Sequence, residues 1–180
     1  MNDVKKKPFA GIYANEKFIC IETYSGYRGG RADPKGKQHL LPTDADDAAL
    51  GEALMDALTH SRFVLGERRT DVWVHPDVEY DMDLYDYQKN IARYAAWIEN
   101  LKQRYGYKTK KTLFRKMDNC GVEQVDGKIR ISPMHHEKLE GWGREKDDVF
   151  EDVIISDQST TNEIGAAIRL ALSRCTSAIA

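Results

Sequence analysis

Apolar residues near the C-terminus recur at Ile164, Ala167, Ile168, Ala171 and Leu172, the spacing of one stripe along an α-helix. Leu50, Ala53, Leu54, Ala57 and Leu58 repeat that spacing earlier in the chain, and Gly51 and Gly165 occupy matching places. A glycine inside a helix costs ~1 kcal/mol relative to alanine, so two at equivalent positions mark close packing against a neighbour. Residues suited to N-capping precede both helices: Asp44 and Asp46 before the first, Ser159, Thr160 and Thr161 before the second.

The match continues upstream. Leu40-Leu41 and Ile154-Ile155 stand at the same offset and read as short buried strands. Phe18 to Tyr24 is a strong strand, rich in β-branched and aromatic residues, with Phe9 to Tyr13 before it and Asn15-Glu16 as the turn between. In the second half, Val122–Val125 and Lys128–Ser132 flank Asp126-Gly127, a two-residue hairpin signal. Each half therefore reads strand, strand, long loop, strand, helix. The pattern predicts an α+β fold of duplicated ββ-loop-βα units within one domain spanning 1–180, with halves at about 8–65 and 119–176. Hairpins of this kind favour a mainly antiparallel sheet. The pattern leaves open whether the strands form one sheet or two.

A central α-helical insert, about 78–118, separates the halves. Tyr87, Ile91, Tyr94, Ile98, Leu101 and Tyr105 form a heptad-like stripe on a helix of about five turns, which Gly106 is suited to end. A shorter helix is expected from Lys110 to Met117, with Leu113, Phe114 and Met117 inward. The long stripe is expected to pack on the protein's own sheet; the alternative is a partner-binding groove.

Of 180 residues, 41% are hydrophobic and 31% charged, ordinary values for a folded globular chain. A net charge of −2 argues against a protein built to coat nucleic acid or a membrane. No apolar run approaches the ~20 residues of a membrane helix. No signal-length apolar stretch follows the lysines of MNDVKKKPFAGIY, so a cytoplasmic location is expected. Cys20, Cys120 and Cys175 are far apart in sequence and form no Cys-x-x-Cys pair. They are expected to be buried small hydrophobes, and neither metal nor cofactor is expected.

The usual catalytic signatures are absent: no Walker-type loop, no Gly-x-Gly-x-x-Gly and no Gly-x-Ser-x-Gly occurs. Gly26 to Arg31 is glycine-rich and basic, able to hold an anion but better read as a loop between strands. Met134-His135-His136-Glu137 is the one dense patch of metal-capable ligands. Adjacent histidines in a strand point to opposite faces, so both serving one ion is not expected.

The charges are segregated. Asp77, Glu79, Asp81, Asp83 and Asp86 follow one another without a base, with Tyr80 and Tyr85 interleaved, whereas Lys102 to Lys116 contains bases and no acid. Acids leading into a helix and bases trailing it suit the helix dipole. Recognition explains the pattern equally well: an acidic segment steering a basic protein surface, or a basic segment meeting phosphates.

Four stretches together carry a family resemblance: Ser25 to Asp33 (SGYRGGRAD), Arg104 to Met117 (RYGYKTKKTLFRKM), Ser132 to Trp142 (SPMHHEKLEGW) and Ile164 to Cys175 (IGAAIRLALSRC). Their order and spacing resemble the immunity proteins of contact-dependent growth inhibition (CDI), the CdiI family. The resemblance implies a cytoplasmic antidote that is not an enzyme. Its partner would be the toxic C-terminal domain of a CdiA effector, and many such domains are nucleases. Neither a membrane nor direct nucleic-acid contact is expected, given the net charge, and the resemblance carries over no contact residues. Interface composition suggests Asp77, Glu79, Asp81, Asp83, Tyr85 and Asp86 as toxin-binding candidates, with Tyr24, Tyr27, Arg28, Arg31 and Trp142 beside them. An edge strand adding to a strand of the toxin is another possible mode. Competing readings are a nucleic-acid-binding module using Lys102 to Lys116, and an enzyme in which Arg28, Arg31, His135 and His136 converge.

Overall fold

The structure, a computed structural model, describes residues 3–144 and 151–179. In the first half β1 (Phe9–Ala14) and β2 (Ile19–Gly26) form a hairpin, followed by β3 (Gly30–Ala32), β4 (Gln38–Leu41) and α1 (Asp47–Thr59). Short strands β5 (Val64–Leu65) and β6 (Glu79–Tyr80) lead to α2 (Tyr87–Tyr105) and α3 (Lys110–Phe114). The second half has β7 (Asp118–Val125), β8 (Lys128–Pro133), β9 (His135–Lys138), β10 (Gly141–Gly143), β11 (Val153–Ser156), α4 (Thr161–Ser173) and β12 (Thr176–Ser177).

The main strands form one seven-stranded sheet in the order β11-β8-β7-β1-β2-β3, with β4 also paired to β2. All its pairings are antiparallel. The opening strands of the halves meet at the centre, where Phe9 pairs with Glu123 and Ala14 with Asp118. From there β2 and β4 run outward on one side, and β8 and β11 on the other. The two smaller sheets are β10-β9-β12 and β5-β6.

Alternation along the strands sends Ala10, Ile12, Ile19, Ile21, Val122, Ile129 and Ile131 to one face, where they bury the stripes of α1 and α4. Asp46 caps α1 by accepting from the Ala49 N–H, and Thr160 caps α4 by accepting from the Glu163 N–H. Local turn chemistry matches the backbone. Asp126 and Gly127 both take positive φ, 54° and 76°, as a two-residue hairpin turn requires, and Gly106 ends α2 at φ 72°.

On the opposite face Phe18 and Cys20 pack with Ile98, Leu101, Leu113, Phe114 and Met117. Here the structure corrects the reading of α2. Only Ile98 and Leu101 of its stripe are buried; Tyr87 is 74% exposed, Ile91 47% and Tyr94 42%. The C-terminal half of α2 packs over Phe18 and Cys20, and its N-terminal half flanks a groove. The helix α3 is also shorter than expected. It ends at Phe114, and Met117 is buried after the helix rather than within it. The cysteines are free, but Cys120 and Cys175, distant in sequence, bring their sulfurs to 3.6 Å.

Candidate functional site

The exposed half of α2 faces an open groove of ≈ 530 Å³. Its floor is the sheet face turned away from α1 and α4, bearing Tyr13 of β1 and Glu22 and Tyr24 of β2. One wall is α2, with Tyr87, Asn90, Arg93, Tyr94 and Trp97; the other is β3 and the turn that follows, from Arg31 to Gln38. Gly11 makes room for the floor: a Cβ there would lie 2.5 Å from Cζ of Tyr24, so only glycine lets that ring cross β1. The Tyr13 ring stands between Trp97 and Trp142, each with its centroid at 5.3 Å, and the Tyr13 and Tyr24 hydroxyls lie 3.3 Å apart.

Glu22 accepts a hydrogen bond from Nε2 of Gln38 at 2.9 Å, across the β2–β4 pair. Burial raises its pKa against that one favourable contact. Burial likewise raises the Tyr13 and Tyr24 hydroxyls and the Cys20 thiol, and the negative charge of Glu22 adds to all three shifts.

The wall at Arg31 is braced from behind. Arg62 sends Nε and Nη2 to the Asp33 carboxylate at 2.8 and 3.0 Å, and Nη1 to Asp81 at 2.9 Å. Asp33 also accepts from the Ser25 hydroxyl at 2.6 Å, and Lys35 reaches Asp81 at 3.2 Å. Burial pushes Asp33 upward, but the bonds from Arg62, Ser25 and the Lys35 backbone N–H outweigh it and hold it below its usual value. Arg62, with Lys35 assisting, holds Asp81 at about 2. The Arg31 guanidinium lies 4.1 Å from the centroid of Tyr85, whose hydroxyl donates to the Val64 carbonyl at 2.8 Å.

The sequence candidates therefore fall in separate places. Tyr24 and Arg31 line the groove, and Tyr85 supports Arg31. Asp81 and Asp83 are engaged within the chain, Asp83 by Lys89 and Arg93, while Asp86 caps α2. Asp77 and Glu79 are exposed and have no ion pair among the described residues. Tyr27 stacks on Phe63 at 5.1 Å and accepts from the His75 N–H, and Arg28 is exposed beside it. Trp142 stacks on His136 at 4.6 Å and donates to the Met117 carbonyl at 2.9 Å.

The basic residues of Lys102 to Lys116 are largely exposed. The four residues of the enzyme reading do not converge. Arg28 borders a cleft with Lys5 and Asp126, Arg31 lines the groove, and His136 is buried against Trp142 while His135 meets Thr176. Among the described residues no cluster of three or more His, Cys, Asp or Glu could hold a metal, and no helix is long and apolar enough to cross a membrane.

Sequence reasoning missed Tyr13, Glu22 and Trp97 as groove residues. The available signal was period-two alternation: Glu22 and Tyr24 share one face of β2, opposite the face that buries Ile19 and Ile21.

The CdiI family model, "CDI immunity protein", matches residues 9–175. Immunity protein CdiI-YPIII of Yersinia pseudotuberculosis serotype O:3 (strain YPIII) is 50% identical over 175 residues, covering 97% of this chain and 99% of the relative. A chain of the CdiA-CT/CdiI toxin and immunity complex from Yersinia pseudotuberculosis superimposes with a TM-score of 0.93 at 49% identity, covering 97% of this chain and 100% of that one. A protein of unknown function from Neisseria meningitidis, NMB0488, follows at a TM-score of 0.78 and 36% identity, with 97% and 99% coverage. This α+β chain, with its mainly antiparallel sheet, belongs to the CDI immunity protein family.

Proposed function

We propose that this chain is a cytoplasmic antidote that binds the C-terminal toxin domain of a CdiA effector and blocks it, with no catalytic step of its own. The observation that carries this reading is similarity along nearly the whole chain to an immunity protein and to a chain solved in a toxin and immunity complex.

The groove between β2 and α2 is the face assigned to the toxin. Aromatic and arginine side chains are the usual anchors of protein interfaces, and Tyr24, Arg31, Tyr87 and Tyr94 stand together there. Tyr87, Ile91 and Tyr94 add apolar surface that the described residues leave open. Asp77 and Glu79 are exposed acids suited to steering a basic partner. Asp81, Asp83, Tyr85 and Asp86 hold the wall and the start of α2 in place. Tyr27, Arg28 and Trp142 contribute from the flanks.

The test is co-expression with the C-terminal domain encoded by the gene immediately upstream. The expected result is a stable one-to-one complex and survival of cells that the domain alone kills. Absence of a complex, with cells dying as without the chain, overturns the proposal.

A further inference from the structure

The floor of the groove carries a negative charge without an ionic partner. Glu22 accepts its hydrogen bond from the neutral Gln38 amide, and no cation of the described residues forms an ion pair with it. The other charges around the groove are matched or at its rim. Asp33 is held by Arg62, Arg93 by Asp83, and Arg31 lies on Tyr85, which leaves Lys37 exposed at the edge.

The carboxylate is framed by π-systems. Tyr13, Tyr24, Tyr94 and Trp97 line the same groove, and their faces attract cations. The field of Glu22 reaches the Tyr13 and Tyr24 hydroxyls, which hold their protons more tightly because of it. A half-buried carboxylate among aromatic rings suits a positively charged group on an apolar stem, the chemistry of lysine and arginine.

We infer that the groove receives a lysine or arginine side chain of the toxin, its charge set against Glu22 and its stem against Tyr24, Tyr94 and Trp97. The inference rests on the assignment of the groove to the toxin. It makes Glu22 a specificity-determining residue: a toxin with a neutral or acidic side chain at that point would cover the carboxylate without pairing it, a costly arrangement.

The test measures affinity for the upstream-encoded toxin domain. Glu22→Gln keeps the shape and the Gln38 contact but removes the charge, and is expected to weaken binding roughly thirtyfold. Gln38→Lys, at an exposed position outside both cores, gives Glu22 a cation within the chain and is expected to weaken binding roughly tenfold; it also covers the case in which Glu22→Gln folds poorly. Reversal of the contacting toxin cation to glutamate is expected to abolish binding to the wild type and restore it to Glu22→Lys. Wild-type binding with Glu22→Gln within about twofold of it, or undiminished binding by Gln38→Lys, overturns this inference and leaves the immunity reading standing. Failure of the wild type to bind removes both.

Discussion

Gly51 sets its Cα against the carbonyl of Thr161 so closely that a Cβ would lie 2.0 Å from that oxygen. Gly165 meets the carbonyl of Asp47 in the same way, at 1.9 Å. Each glycine thus touches the first residue of the opposite helix, so the contact is reciprocal. The helical cost of two glycines is offset by this close approach, which lets the stripes of α1 and α4 share one core with the sheet.

Gly51→Ala and Gly165→Ala are therefore expected to destabilise the protein by about 1–3 kcal/mol each, despite alanine's better helix propensity. Urea denaturation measures this. The double variant is expected to cost less than the sum, because parting the helices for one methyl makes room for the other. Unchanged midpoints would show that the helices separate freely.

Arg62 ties β3 to the segment before α2 through Asp33 and Asp81. Arg62→Ala leaves the fully buried Asp33 side chain without its cation, and a loss of about 3 kcal/mol is expected at neutral pH. Both carboxylates have folded pKa values below their ordinary ones, so their contribution is complete above the unfolded value of about 3.9 and is lost as pH falls through the folded values. For Asp81 that loss extends down to about 2. Denaturation midpoints measured from pH 7 to about pH 2 should fall below about pH 4, and Arg62→Ala should flatten that slope.

Tyr87→Ala and Tyr94→Ala test the proposed face from outside both cores: Tyr87 is 74% exposed, and Tyr94, 42% exposed, stacks on Trp97 and donates to Glu140. Stability should change by less than about 1 kcal/mol. Affinity for the toxin domain should fall roughly tenfold or more for at least one of them, read by calorimetry. Undiminished affinity in both would move the interface away from α2.

Trp142→Phe separates a supporting role from a contacting one. It leaves the Met117 carbonyl without its donor and thins the packing against Tyr13 and His136. A loss of about 1–3 kcal/mol is expected in denaturation. Toxin affinity should fall less than for the exposed tyrosines of α2.

Local signals were legible where the physics is local. The extent of α2 followed from its spacing and from Gly106, and the β7–β8 turn from Asp126-Gly127, because helix ends and tight turns depend on neighbours a few residues away. The matching glycines announced a close contact. Their partners, Asp47 and Thr161, appear only when the two helices are laid side by side.

The acidic segment shows the limit of such reading. As a string, Asp77 to Asp86 is unopposed negative charge; folded, Asp81 meets Arg62 and Lys35, and Asp83 meets Lys89 and Arg93. The stripe of α2 shows the same limit, because periodicity specifies a face and not what covers it. By itself the sequence determined the α+β class, the order of the longer strands and the helices, and the likeness to CDI immunity proteins, but not the short strands β3, β5, β6, β9, β10 and β12. The tertiary structure alone decided that the opening strands of the halves pair at the centre of one sheet, that α2 overhangs it, and that Glu22 and Tyr24 floor a groove. Those outcomes depend on pairings between residues far apart in the chain, which no local pattern encodes.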